Sequence, residues 1–207
     1  MTTIYLMRHS IAKTPVEMIN TNESLQIQNE KIILSVEGEK LALKYSNIKE
    51  LKGLNSIYSS NYVRAISTSK YISYENNKPI YIDEDFGERK FGVKNWNDIP
   101  KDFFSHQLID EDYKLNNGES RKEVRERMYK AFLKVLKQNK NKKALIVSHA
   151  SSIAFLLEKW CDISYDKGYV IYYGNKLIID EFSAPDLIKL EFDDKNKLIN
   201  VDRIAIK

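Results

Sequence analysis

The chain has a single cysteine, Cys161, among its 207 residues, so an intramolecular disulfide is excluded. A cysteine-based zinc site is not expected either. Cys161 closes the apolar helical stretch "IAFLLEKWC" and is expected to pack in the interior rather than react. No apolar run approaches the roughly 18 residues that a bilayer-spanning helix requires. Arg8 and His9 interrupt the first apolar stretch at once, which is not the layout of a signal peptide. The expectation is a soluble, cytoplasmic protein with no membrane partner. Repeats, low-complexity tracts and an interdomain linker are also missing. Histidine is scarce, with three residues in all: His9, His106 and His149.

What is present is ordinary for a globular chain. The hydrophobic fraction is 43%, and a chain of this length can bury a core as one domain, 1–207. The net charge of +4 suits an anionic ligand. The one basic cluster, "KQNKNKK" at 137–143, follows a long helical pattern, where cations complement a helix C-terminus. No nucleic-acid partner is expected from it.

Short β-branched or aromatic runs predict strands at 3–7 ("TIYLM"), 56–60 ("SIYSS"), 79–82 ("PIYI") and 143–149 ("KALIVSH"). Two later runs, 187–192 and 198–206, flank "DDKNK" and predict an antiparallel hairpin. Helical spacing predicts helices over 35–49, 61–75, 118–139 and 150–160. In the third of these, Ser120 and Glu123 form a capping box, and Val124, Met128, Ala131, Phe132, Val135 and Leu136 form one apolar stripe. Strands alternating with helices predict an α/β fold: a three-layer α/β/α sandwich around a mostly parallel sheet. The stretch 93–117 is irregular and aromatic, with Trp96, Phe103, Phe104 and Tyr113, and reads as an inserted cap whose rings either line a substrate mouth or pack the cap. His106 is expected on an exposed polar face.

In such sheets, ligands bind beyond the carboxyl ends of the strands. The first predicted strand ends on Arg8 and His9, the second feeds a helix carrying Arg64, and the fourth ends on His149. Two guanidiniums and two imidazoles therefore meet at one rim. Guanidinium forks match phosphate oxygens and keep their charge. A neutral imidazole is a competent nucleophile near pH 7, and a protonated one can donate to a transferring phosphoryl group. A phosphomonoester also needs a proton on its leaving oxygen. Asp83, Glu84, Asp85 and Glu88 are all candidates for that role, and the residues alone do not choose among them. Two histidines with no clear acidic partner, beside two arginines, make a poor metal set, so no metal and no cofactor are expected.

The stretches "LMRHS", "SSNYVRAISTS", "GERKFG", "GES" and "LIVSHA" resemble, in order and approximate spacing, the motifs of the histidine phosphatase superfamily, the phosphoglycerate-mutase-like fold. The resemblance runs from residue 4 to about 150. It implies that His9 becomes phosphorylated and that Arg8, Arg64 and His149 hold the phosphate. It also selects Glu88, ahead of Phe91-Gly92, as general acid and then general base. The implied activity is hydrolysis of a small-molecule phosphomonoester, of the histidine acid phosphatase type. The alternatives are a cofactor-dependent phosphoglycerate mutase and a non-catalytic phospholigand-binding protein. The chain departs from the family pattern where Ser10 and Ala150 replace glycines; Ser10 brings a hydroxyl that can donate to phosphate. "IAKTPVEMIN" also lacks the Glu-Thr and Asn that mutases carry after the first motif.

Overall fold

A computed structural model describes residues 1–14, 22–165 and 168–205. The segment 15–21, which holds most of "IAKTPVEMIN", and residue 206, the predicted end of the hairpin, lie outside the described residues.

A six-stranded sheet forms the centre, in the order β3-β2-β4-β1-β8-β9. Its parallel part comprises β1 (Thr2–Arg8), β2 (Ser56–Ser59), β3 (Ile80–Ile82) and β4 (Lys143–Ser148). The closing hairpin, β8 (Asp186–Phe192) and β9 (Leu198–Arg203), is antiparallel, with β8 running against β1. Side chains of β1 alternate between the two faces, as the strand period requires. Ile4 and Leu6 join one buried cluster with α5 (Arg121–Gln138) and α6 (Ala150–Leu157). Tyr5 and Met7 join the other, with α3 (Val63–Asn76); α2 (Val36–Ser46) packs against α3. Both faces of β1 are covered, which is why it reads as a continuous apolar run. This is the expected three-layer arrangement.

The predicted stripe of α5 is fully inward: Val124, Met128, Ala131, Phe132, Val135 and Leu136 are all buried. Burying each of its large side chains contributes roughly 1.5–3 kcal/mol. The Ser120–Glu123 capping box is present in both directions. Cys161 is buried, and burial pushes its thiol up to about 12. His106 is exposed, beside Asp102.

Two expectations are corrected. The stretch 93–117 is not irregular throughout: it holds a 3-10 turn at Trp96–Asp98 and α4 (Phe103–Ile109). Rings within it pack on one another, with Phe103 and Phe104 centroids 5.7 Å apart and Phe103 and Tyr113 5.8 Å apart. Apolar rings in a short segment gain more from mutual burial than from facing water. A second sheet, β5 (Asp162–Tyr165), β6 (Tyr169–Tyr173) and β7 (Lys176–Ile179), also lies where no strand was expected. It adds Tyr169, Ile171, Ile178 and Ile179 to the cluster over α5 and α6. A short helix, α1 (Leu25–Lys31), is likewise additional.

Candidate active site

Strand order places the chemistry. β1 lies beside β4 with Arg8 opposite Ser148, and β2 lies on the other side of β4. The ladder continues one step past the strand ends: His9 N–H donates to Ser148 O at 3.0 Å, and Ser60 N–H donates to Val147 O at 2.9 Å. His9, Ser60 and His149 therefore leave the sheet together, and the His9 and His149 ring centroids are 5.0 Å apart. α3, starting two residues after Asn61, carries Arg64 between them.

Arg64 organises this cluster. Its Nε donates to His9 Nε2 at 3.0 Å, Nη2 faces His149 Nδ1 at 3.2 Å, and Nη1 donates to the Asn29 carbonyl at 2.6 Å. A guanidinium only donates, so these contacts set both tautomers. His9 keeps its proton on Nδ1, which lies 2.7 Å from Ser10 O, and its Nε2 lone pair faces inward. His149 keeps its proton on Nε2, 2.8 Å from Ser60 Oγ. Tyr62 packs edge-on against His149 at 4.6 Å and lies under Arg64 at 4.8 Å.

Arg8 donates from Nη1 to Phe182 O at 2.9 Å and to Ser183 O at 3.1 Å. Its Nε is buried with no hydrogen-bond partner among the described residues, a donor suited to an incoming anion. Burial pulls the Arg8 and Arg64 guanidiniums down from their ordinary range, and Glu88 acts against burial at both. Of the four candidate acids, Glu88 is the one that stands among the main influences on both arginines. Asp83 is instead occupied in capping the Asp85 N–H at 3.0 Å.

The segment carrying Glu88 is held from three sides. Arg127 on α5 donates to Asp85 O (2.7 Å), Gly87 O (3.1 Å) and Glu88 O (3.3 Å), and also forks onto Glu119. Glu119 accepts from Lys90 N–H at 2.9 Å. Ser148 Oγ donates to Phe86 O at 2.7 Å, and Ser152 Oγ to Gly87 O at 2.8 Å. Glu88 Oε1 accepts from Arg89 N–H at 2.8 Å and lies 3.3 Å from Ser152 Oγ. Arg89 itself is fully buried among Phe91, Phe103, Phe104 and Phe155, with Gln107 as acceptor at 2.6 Å.

Five of the six expected site residues thus share one rim. Ser10 does not join them through its hydroxyl. That group donates to Gly38 O at 2.7 Å, and its backbone N–H donates to Thr68 Oγ1 at 3.0 Å, in a residue with no exposure. α2 approaches so closely that a β-carbon on Gly38 would sit 1.9 Å from Ile11 O, and this proximity supplies an acceptor nearer than any phosphate. Sequence reasoning missed Ser60, the Asn29 carbonyl and the Arg127–Glu119 clamp. The helix cap next to Glu119 is made by Ser120 with Glu123, which leaves Glu119 to the clamp. A backbone acceptor such as Asn29 O leaves no side-chain signature to find.

Burial, reinforced by Arg64, holds the pKa of both His9 and His149 well below the ordinary 6.5. A depressed folded-state value favours the neutral ring. The stabilisation is complete above about pH 6.5 and is lost as pH falls toward the folded values, at up to about 1.4 kcal/mol per pH unit for each ring. The unfolding midpoint is therefore expected to drop steeply below pH 6.5. His9→Gln should flatten that slope, and a slope unchanged in His9→Gln would assign it elsewhere.

With this geometry in place, the comparisons are specific. Residues 4–178 match the family model of the histidine phosphatase superfamily (branch 1), and the chain belongs to that family. The family handles phosphoryl groups, and named relatives include both phosphatases and a mutase. The probable phosphoglycerate mutase GpmB of Escherichia fergusonii is 26% identical over 161 residues, covering 74% of this chain and 72% of that protein. Bacillus stearothermophilus YhfR superposes with a TM-score of 0.70 at 20% identity, over 96% of this chain and 95% of that one. A mycobacterial glucosyl-3-phosphoglycerate phosphatase superposes with a TM-score of 0.69 at 15% identity, over 97% and 96% of the two chains. At these identities the two structures speak for a shared fold.

Proposed function

We propose that the protein hydrolyses phosphomonoesters through a phosphohistidine on His9. The observation that carries this reading is the fixed tautomer of His9: Nδ1–H is tied to Ser10 O, so Nε2 holds the lone pair beside Arg64. In the first step Nε2 attacks phosphorus, the ester P–O bond breaks, and Glu88 gives its proton to the leaving alkoxide. In the second, water attacks the phosphorus, Glu88 takes a proton from it, and the P–N bond breaks to return neutral His9 and inorganic phosphate. Arg64 must move its Nε donor from His9 to the phosphoryl oxygens, which frees the nucleophile only when substrate is present. Arg8 adds its unpaired Nε. His149, neutral before the anion arrives, takes a proton from solvent on Nδ1 as the anion binds and becomes a further donor.

The charge needed to neutralise phosphate is all on side chains. Release of inorganic phosphate from a panel of phosphomonoesters, measured with EDTA present, is therefore expected to proceed undiminished, with vanadate inhibiting. Activity lost in EDTA and restored by one metal would overturn this account. Interconversion of phosphoglycerates with little free phosphate, stimulated by a bisphosphate primer, would make the protein a mutase instead.

A further inference from the structure

A cleft of about 200 Å³ opens beside the site, lined by Gln26, Asn29, Lys90, Phe91, Gly92 and Lys94 among others, with no acid among the described residues that line it. It is tied to the phosphate end through Asn29, whose carbonyl anchors Arg64. Lys90 and Gln26 also line an adjoining cleft, whose walls carry Tyr62 and the acids Glu30, Glu84, Asp85 and Glu88.

Lys90 and Lys94 are exposed, and among the described residues neither ammonium is in an ion pair. Lys31, Lys52, Lys70, Lys114 and Lys122 each hold a carboxylate. The backbone beneath the free pair is rigid. Lys90 N–H donates to Glu119 Oε2 at 2.9 Å, and Lys90 O accepts from Glu119 N–H at 2.8 Å. Gly92 turns with φ +76, and a β-carbon there would lie 2.0 Å from Gly118 N, so the turn admits glycine alone. Two cations with no ion pair among the described residues thus line one cleft, whose described lining holds no acid, next to a phosphate site.

We propose that this cleft is a second-anion subsite. The preferred phosphomonoesters carry a further anionic group, a carboxylate or a second phosphate, held by Lys90 and Lys94 while Arg8, Arg64 and His149 hold the scissile phosphate. This inference rests on the phosphatase reading and names its substrate class.

The first measurement does not depend on turnover. Calorimetry compares alkylphosphonates of two to five carbons with the same chains ending in a carboxylate or in a second phosphonate. Binding about five- to tenfold tighter is expected for the doubly anionic compounds, as two solvent-screened charge pairs would give, with the advantage shrinking in high salt. The Lys90→Gln/Lys94→Gln double variant should bring the ratio near one, Lys94→Glu should invert it, and Lys130→Gln on α5 should leave it as in the parent. The carboxylate and phosphonate arms separate the two anion types. The second measurement is kcat/KM for the matching phosphate esters, where the preference should fall on KM. Equal binding of matched compounds, or a preference that survives in the double variant, would overturn the subsite. Tighter binding of the dianionic compounds without hydrolysis of any ester would leave the subsite standing and overturn the phosphatase reading.

Discussion

His9→Ala is expected to remove turnover by at least about four orders of magnitude while the protein stays folded, because the proposed covalent intermediate forms on His9 Nε2. The ring lies at the end of β1 among Arg64, Ser10 O and His149 rather than within either apolar cluster. Its removal should therefore cost no more than about 1–2 kcal/mol of stability. Rapid quench of the wild type with a labelled substrate should trap acid-labile phosphate on the chain, and His9→Ala should trap none. His149→Ala separates the two imidazoles. It should still trap label, more slowly, because it removes a donor to the phosphoryl oxygens and not the nucleophile. A His9→Ala protein with full activity would end the phosphohistidine account, and label on His149 would reverse the assignment.

The rim was legible from sequence because its logic is local. A buried strand that runs Ile4–Met7 and then stops on Arg8-His9 declares its carboxyl end, and "KALIVSH" does the same for β4. The hairpin β8–β9 and the box at Ser120 were legible for a similar reason, since a turn or a cap is written in a few adjacent residues. The second sheet was not. Each of its strands has four or five residues, β5 is only half-buried, and a bulge at Ile171/Tyr172 breaks the alternation of β6. Such strands are specified by what they pack on, here the Phe155 ring against Tyr169, and not by their own pattern. α1 has two buried residues in seven and offered no stripe to read. Ser10 failed for a different reason: its acceptor, Gly38 O, is 28 residues away and depends on how α2 packs. Long-range geometry also decided the role of Glu119, which only the position of Arg127 reveals.

Glu88→Gln should slow an alkyl phosphate by about two to four orders of magnitude and p-nitrophenyl phosphate far less in the phosphorylation step. An alkoxide leaves only with a proton, whereas a nitrophenolate is stable without one. In the proposed role, one oxygen is free to serve. Oε1 is taken by Arg89 N–H and lies beside Ser152, so Oε2 is left to carry the proton. Glutamine preserves the shape and the Oε1 contact, so a loss confined to poor leaving groups reads proton transfer rather than collapse of the segment. Single-turnover kinetics keeps this step apart from dephosphorylation, which should slow for every substrate because the same carboxylate activates water. The neighbouring acids are internal controls. Glu84→Gln alters an exposed side chain on a 3-10 turn, and Asp85→Asn leaves intact the backbone carbonyl that Arg127 grips, so both should show no leaving-group dependence. Should either of them show it while Glu88→Gln does not, the proton donor is that residue, and the Arg127 clamp holds the wrong carboxylate for the chemistry assigned to it.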